Sequence, residues 1–72
     1  MLLKFDRSTV CEILFDNGIT KVFRRVCACR RNDDVMVLEV MTDEAGRHDF
    51  VHVNMTKVCY HTFVDECRYK PE

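Results

Sequence analysis

Val35-Met36-Val37-Leu38-Glu39-Val40-Met41-Thr42 is the longest near-continuous apolar run in the chain, and turn-forming residues bracket it. A run of this kind reads as a strand buried on much of both faces, the middle of a sheet and not its edge. The segments on either side are read by how they could pair with it.

On the N-terminal side, Asn32-Asp33-Asp34 is a turn. Before it, residues 19–31 form a second strand in which strict alternation fails. Val22, Val26 and Ala28 share a face with Arg24, while Phe23, Cys27 and Cys29 share the other with Arg25. A long strand that changes its apolar face is what a bulge or a sharp barrel bend produces. Asp16-Asn17-Gly18 signals a hairpin, since Asn and Gly tolerate positive φ. Residues 9–15 admit two readings. Thr9-x-x-Glu12 matches a capping box, and Gly18 could end a short N-terminal helix. Two turns of helix are marginal by themselves, however, so the strand is preferred, with Cys11, Ile13 and Phe15 on one face. Leu2, Leu3 and Phe5 are expected to pack onto the sheet as a short extra strand or turn.

On the C-terminal side, Asp43-Glu44-Ala45-Gly46-Arg47 closes the next hairpin and His48–Val53 is the fourth strand. Asn54-Met55-Thr56 has room only for a tight turn or one turn of 3₁₀ helix. Lys57–Val64 is the fifth strand, with Val58, Tyr60 and Val64 on one face and Cys59, His61 and Phe63 on the other. The charged tail from Asp65 to Glu72 is expected to fray. Five consecutive antiparallel strands with two-sided apolar character must curl. The expected fold is all-β, a small five-stranded antiparallel meander curled into a partly open barrel.

This layout resembles the small Sm-like and SH3-like barrels. Asp16-Asn17-Gly18 stands where such domains place the first turn, and Val35–Met41 stands at the bent central strand. Phe50-Val51-His52-Val53-Asn54-Met55-Thr56-Lys57-Val58 looks like their strand, one-turn crossover and closing strand. Within that group the spacing is similar to the short bacterial inhibitors of the transcription terminator Rho, over about residues 11–62. The chain departs from them at the N-terminus, where those inhibitors carry a helix. The resemblance is one of layout without a specific motif, so it implies a fold and carries over no activity.

Seventy-two residues make one domain with a small core. At 47% hydrophobic and 32% charged, the composition excludes a disordered or membrane-spanning class. No apolar run approaches the roughly 20 residues of a membrane helix, and Met1-Leu2-Leu3-Lys4-Phe5-Asp6 meets charge too soon for a signal peptide, so the cytoplasm is the expected compartment. The five cysteines, Cys11, Cys27, Cys29, Cys59 and Cys67, form an odd set that reads as free thiols, mostly buried. A net charge of −1 gives no general attraction to nucleic acid.

Four constellations could carry chemistry. Lys21, Phe23, Arg24, Arg25, Arg30 and Arg31 form a basic stripe with an aromatic, a pattern suited to a phosphate backbone and a stacked base. The blander account is a solvated face neutralised by acids on neighbouring strands. Cys27-x-Cys29, Cys59-x-His61 and the pair His48 and His52 are metal-ligand types. In a regular strand, though, residues two apart stand nearly 7 Å apart, too far for a shared zinc, so no metal or other cofactor is expected. There is no G-x-S-x-G, P-loop, H-E-x-x-H or dinucleotide fingerprint, and both glycines belong to turns. No enzyme is therefore expected, a small His/Arg ribonuclease being the least remote alternative. Finally, Asp16, Asp43, Glu44 and Asp49 could present an acidic end to a basic partner. The expectation is a regulatory module that binds another protein through this acidic end or a free strand edge, or joins a second copy edge to edge. Nucleic-acid binding by the basic strand is the runner-up.

Overall fold

The computed structural model describes residues 2–42 and 45–69. Five strands follow one another: β1 (Leu2–Phe15), β2 (Thr20–Asn32), β3 (Val35–Met41), β4 (His48–Asn54) and β5 (Val58–Asp65). A single 3₁₀ turn, Met55–Lys57, joins the last two. The strands form one antiparallel sheet in the order β4-β3-β2-β1-β5. Strands β4 and β5 are its two edges and do not pair with each other, so the meander curls without closing. Its dimensions, 34 × 30 × 18 Å, are those of a bent, open layer. β3 is an interior strand, as its apolar run implies, but β2 is the middle of the sheet.

No α-helix occurs among the described residues. Thr9–Phe15, where a capping box competed with a strand, is paired on both sides, to β2 and to β5. Two ladders and the burial of Cys11 and Ile13 outweigh a local cap that would serve two turns of helix. Leu2–Ser8 is the first half of this same strand and not a separate element.

The turns use the residues that suit them. Gly18 takes φ +85°, and the Ile19 amide donates to Asn17 Oδ1 at 3.0 Å. Asp33 adopts φ +51° in the two-residue link to β3. Asn54 holds the crossover, its side-chain oxygen accepting from the Thr56 amide at 3.1 Å and from Thr56 Oγ1 at 2.7 Å. The Met55 amide donates to Asp34 O and the Asp16 amide to Lys57 O, both at 2.7 Å, so two successive turns border the crossover. The segment after β5, expected to fray, is tied down as far as Tyr69. The Glu66 amide donates to Ser8 O at 3.0 Å and the Tyr69 hydroxyl to Glu12 Oε2 at 3.3 Å.

Irregular register decides which side chains face inward. Lys4 pairs with Ala28 and Thr9 with Val26, so five steps of β1 span two of β2 and the strand bends between them. On β2, the pairs Thr9–Val26 and Cys11–Phe23 leave one residue extra, and Arg25 takes φ +59°. A second extra residue, Cys27, lies opposite β3 between the pairs Val26–Val40 and Ala28–Glu39. The bulge expected in this strand is present, and it reassigns the faces. Val26 and Cys29 enter the core, while Ala28 lines the opposite face and Cys27 is half-buried there. The pairings Val26 with Ala28 and Cys27 with Cys29, drawn from strict alternation, are thereby split. In β5 the register shift at Cys59 likewise places Val58 and Phe63, expected on opposite faces, both against the core.

The core is one cluster, Cys11, Ile13, Val26, Cys29, Met36, Leu38 and Val53, flanked by Phe5, Phe15, Phe23, Val40, Val51, Met55, Val58 and Phe63. No buried polar side-chain atom among the described residues lacks a hydrogen-bond partner.

Candidate functional site

The outer face of β2, β3 and β4 gathers what the core excludes. The β3–β4 register pairs Val37 with His52, Glu39 with Phe50 and Met41 with His48, and the β2–β3 register adds Ala28 beside Glu39 and Arg30 beside Val37. Leu2 reaches the same surface from its place opposite Arg30. Between them lies an open depression of about 550 Å³, lined by Leu2, Ala28, Arg30, Val37, Glu39, Phe50 and His52. Phe50, on the edge strand, is 59% exposed.

At one side of this depression three side chains from three strands converge. Cys27 Sγ lies 3.5 Å from Glu39 Oε2 and 3.6 Å from His48 Nδ1, and His48 Nδ1 lies 3.3 Å from Glu39 Oε1. The thiol also donates to the Glu39 carbonyl at 3.4 Å. Burial, and then the hydrogen bond and negative charge of Glu39, push the Cys27 thiol above its usual pKa. A nucleophilic cysteine needs the opposite shift. Its imidazole would also face the thiol with one ring nitrogen and the carboxylate with the other. Here a single nitrogen, Nδ1, faces both, so the arrangement converges on a point and does not form a relay.

The other sequence candidates fall as follows. Cys29 is buried in the core, on the side of the sheet away from Cys27, so Cys27-x-Cys29 makes no chelate. Cys59 is exposed, while His61 stands edge-on to Phe63 with ring centroids 5.5 Å apart. His52 lines the depression. In the basic stripe, Phe23 packs against the core. Arg24 pairs with Glu66 at 3.8 Å and lies over the Tyr69 ring at 5.1 Å. Lys21 stands 5.9 Å from the centre of Phe15. Arg31 donates from Nε to Asp33 O at 3.0 Å, and Arg25 is exposed, at positive φ. Arg30 faces the depression. The stripe is thus dispersed over several surroundings. Of the acidic set, Asp16 and Asp49 are exposed, and Asp43 and Glu44 lie outside the described residues.

Sequence reasoning missed the grouping of Cys27, Glu39 and His48. The β3–β4 hairpin implied that Glu39 and His48 are near neighbours. The missing term was the bulge position that turns Cys27 outward.

No family model, no curated protein and no solved structure matches this chain. Fold and site therefore define its class: a small five-stranded antiparallel meander, open between β4 and β5, with exposed strand edges. Of the expected Sm-like or SH3-like layout, the five-stranded antiparallel sheet is present, and no family is shown. No helix among the described residues is long and apolar enough to cross a membrane.

Proposed function

We propose that this chain is a non-enzymatic protein-binding module that takes an extended segment of a partner polypeptide along β4. The observation that carries this reading is Phe50, a large aromatic exposed on an edge strand and bordering an apolar depression. An unpaired edge offers backbone donors and acceptors to an incoming strand, and side chains at alternate positions of that strand find the neighbouring pocket. Leu2, Val37 and Phe50 supply apolar contact, while Arg30 supplies a cation suited to an acidic residue in the segment. The acidic-end version of the same reading rests on the exposed Asp16 and Asp49, neither of which lines the depression.

The test is capture of a partner from lysate with and without nuclease, repeated with three variants. Phe50→Asp is expected to abolish capture of a nuclease-resistant protein, and Asp16→Lys to leave it intact. Loss with Asp16→Lys and Asp49→Lys but not with Phe50→Asp would move the site to the acidic end. Loss on nuclease treatment would move it to the basic residues of β2.

A further inference from the structure

We infer that Cys27, Glu39 and His48 form a zinc-binding site on the outer face of the sheet. With one donor atom taken from each residue, all three lie within 4.8 Å of one another. Around a tetrahedral zinc with Zn–S of about 2.3 Å and Zn–N and Zn–O of about 2.0 Å, ligand atoms stand about 3.5 Å apart when one is sulfur. A nitrogen and an oxygen stand about 3.3 Å apart in the same geometry. The spacings here are 3.6 Å for sulfur and nitrogen, 3.5 Å for sulfur and oxygen, and 3.3 Å for nitrogen and oxygen. The two carboxylate oxygens take one of these edges each, Oε2 toward the thiol and Oε1 toward the imidazole. The sulfur–nitrogen edge therefore already has the length a zinc ion requires, and a single Glu39 oxygen, within 4.8 Å of both partners, completes the triangle by a small rotation of its carboxylate.

The donor chemistry selects among metals. A thiolate disfavours magnesium and calcium, and a Cys, His and carboxylate set suits zinc. Thiolate and carboxylate together bring two negative charges, which a divalent ion neutralises. Three protein ligands leave a fourth position, and the site is open enough to fill it: the side chains of His48 and Glu39 remain 31% and 33% exposed. Water or a donor from another molecule can complete the tetrahedron.

The fold explains why the donors meet. Cys27 is the extra residue of the β2 bulge opposite β3, and Glu39 and His48 stand on the outward face of β3 and β4. Counted back from buried Cys29, a regular β2 would place Cys27 with the core side chains, and the bulge keeps it outward instead. This inference does not depend on the protein-binding proposal. Glu39 also lines the depression, so an ion here would sit beside the proposed docking strand.

The experiment is titration of the full chain, reduced and metal-free, with Zn²⁺ alone and then with Co²⁺ as its coloured substitute. The expected result is one ion per chain, a sulfur-to-cobalt charge-transfer band, and a melting temperature that rises with zinc concentration. Outer-shell changes at metal sites already cost 10–100-fold in affinity, so loss of a ligand in Cys27→Ser or His48→Ala should weaken binding by at least about 100-fold. Cys59→Ser with Cys67→Ser should leave it unchanged. Circular dichroism establishes that each variant is folded. If Cys27→Ser is not, Glu39→Gln and His48→Ala decide the matter. Absence of stoichiometric binding would overturn the assignment, as would binding that survives in the Cys27 and His48 variants or disappears with Cys59 and Cys67.

Discussion

Cys27 and Cys29 are two residues apart on one strand and belong to different environments. Cys29 is 4% exposed among Val26, Met36 and Leu38, where it acts as a small apolar filler. Cys27 is half-buried among polar groups on the other side of the sheet. The same contrast holds for the two faces of β2, β3 and β4 as a whole. The inner face carries the close-packed core cluster, whose only titratable groups among the described residues are the thiols of Cys11 and Cys29. The outer face holds Phe50, Arg30, Glu39 and His52 around an open depression, with His48 beside Glu39. One extra residue in β2 separates the two chemistries, with the close-packed core on one face and the proposed recognition surface on the other.

The largest test of this contrast is truncation on each side. Leu38 is fully buried, and Leu38→Ala should cost about 2–5 kcal/mol, enough to unfold much of a domain this small. Val37→Ala, next in sequence but outward, should cost no more than about 1 kcal/mol, and Phe50→Ser should stay within about 0.5 kcal/mol. Urea midpoints measure all three. Comparable losses at positions 37 and 38 would mean that the outer face is covered.

Alkaline titration comes next. Burial, reinforced by the nearby Cys29 thiol, raises the Cys11 pKa from 9.0 to about 12. Between those values the unfolded chain loses the proton while the native state keeps it. Stability is thus fully present below pH 9 and falls as pH rises toward 12, by at most about 1.4 kcal/mol per pH unit from this residue. Denaturation curves at increasing pH should show the decline, and Cys11→Ala should flatten it.

The strain at Arg25 offers a smaller effect. A non-glycine residue at φ +59° costs about 1–2 kcal/mol, so Arg25→Gly should stabilise the fold by up to about 1 kcal/mol after the added freedom of the unfolded chain. A destabilised glycine variant would show that Arg25 makes contacts worth more than its backbone strain. The smallest perturbation is thiol labelling under native conditions. Exposed Cys59 and Cys67 should react first and Cys27 after them, with Cys11 and Cys29 protected until the chain opens. Early labelling of Cys29 would break the assignment of faces.

Much of this architecture is legible along the chain. Asn17-Gly18 marks the β1–β2 turn and Gly46 the β3–β4 hairpin, because both glycines supply the positive φ that those positions need. Apolar runs between them marked five strands, and the brief Asn54-Met55-Thr56 link marked the 3₁₀ crossover. The bulged character of β2 was legible too, since its apolar residues switch sides. What could not be read was where in β2 the extra residues fall. Side-chain direction alternates with period two, so one added residue reverses every assignment beyond it. Local sequence thus determined that five strands would form and where they would turn. The tertiary structure alone decided which cysteine faces the core and which meets Glu39 and His48. Those three residues lie 9 to 21 positions apart, and only the register of three adjacent strands brings them within reach of one another.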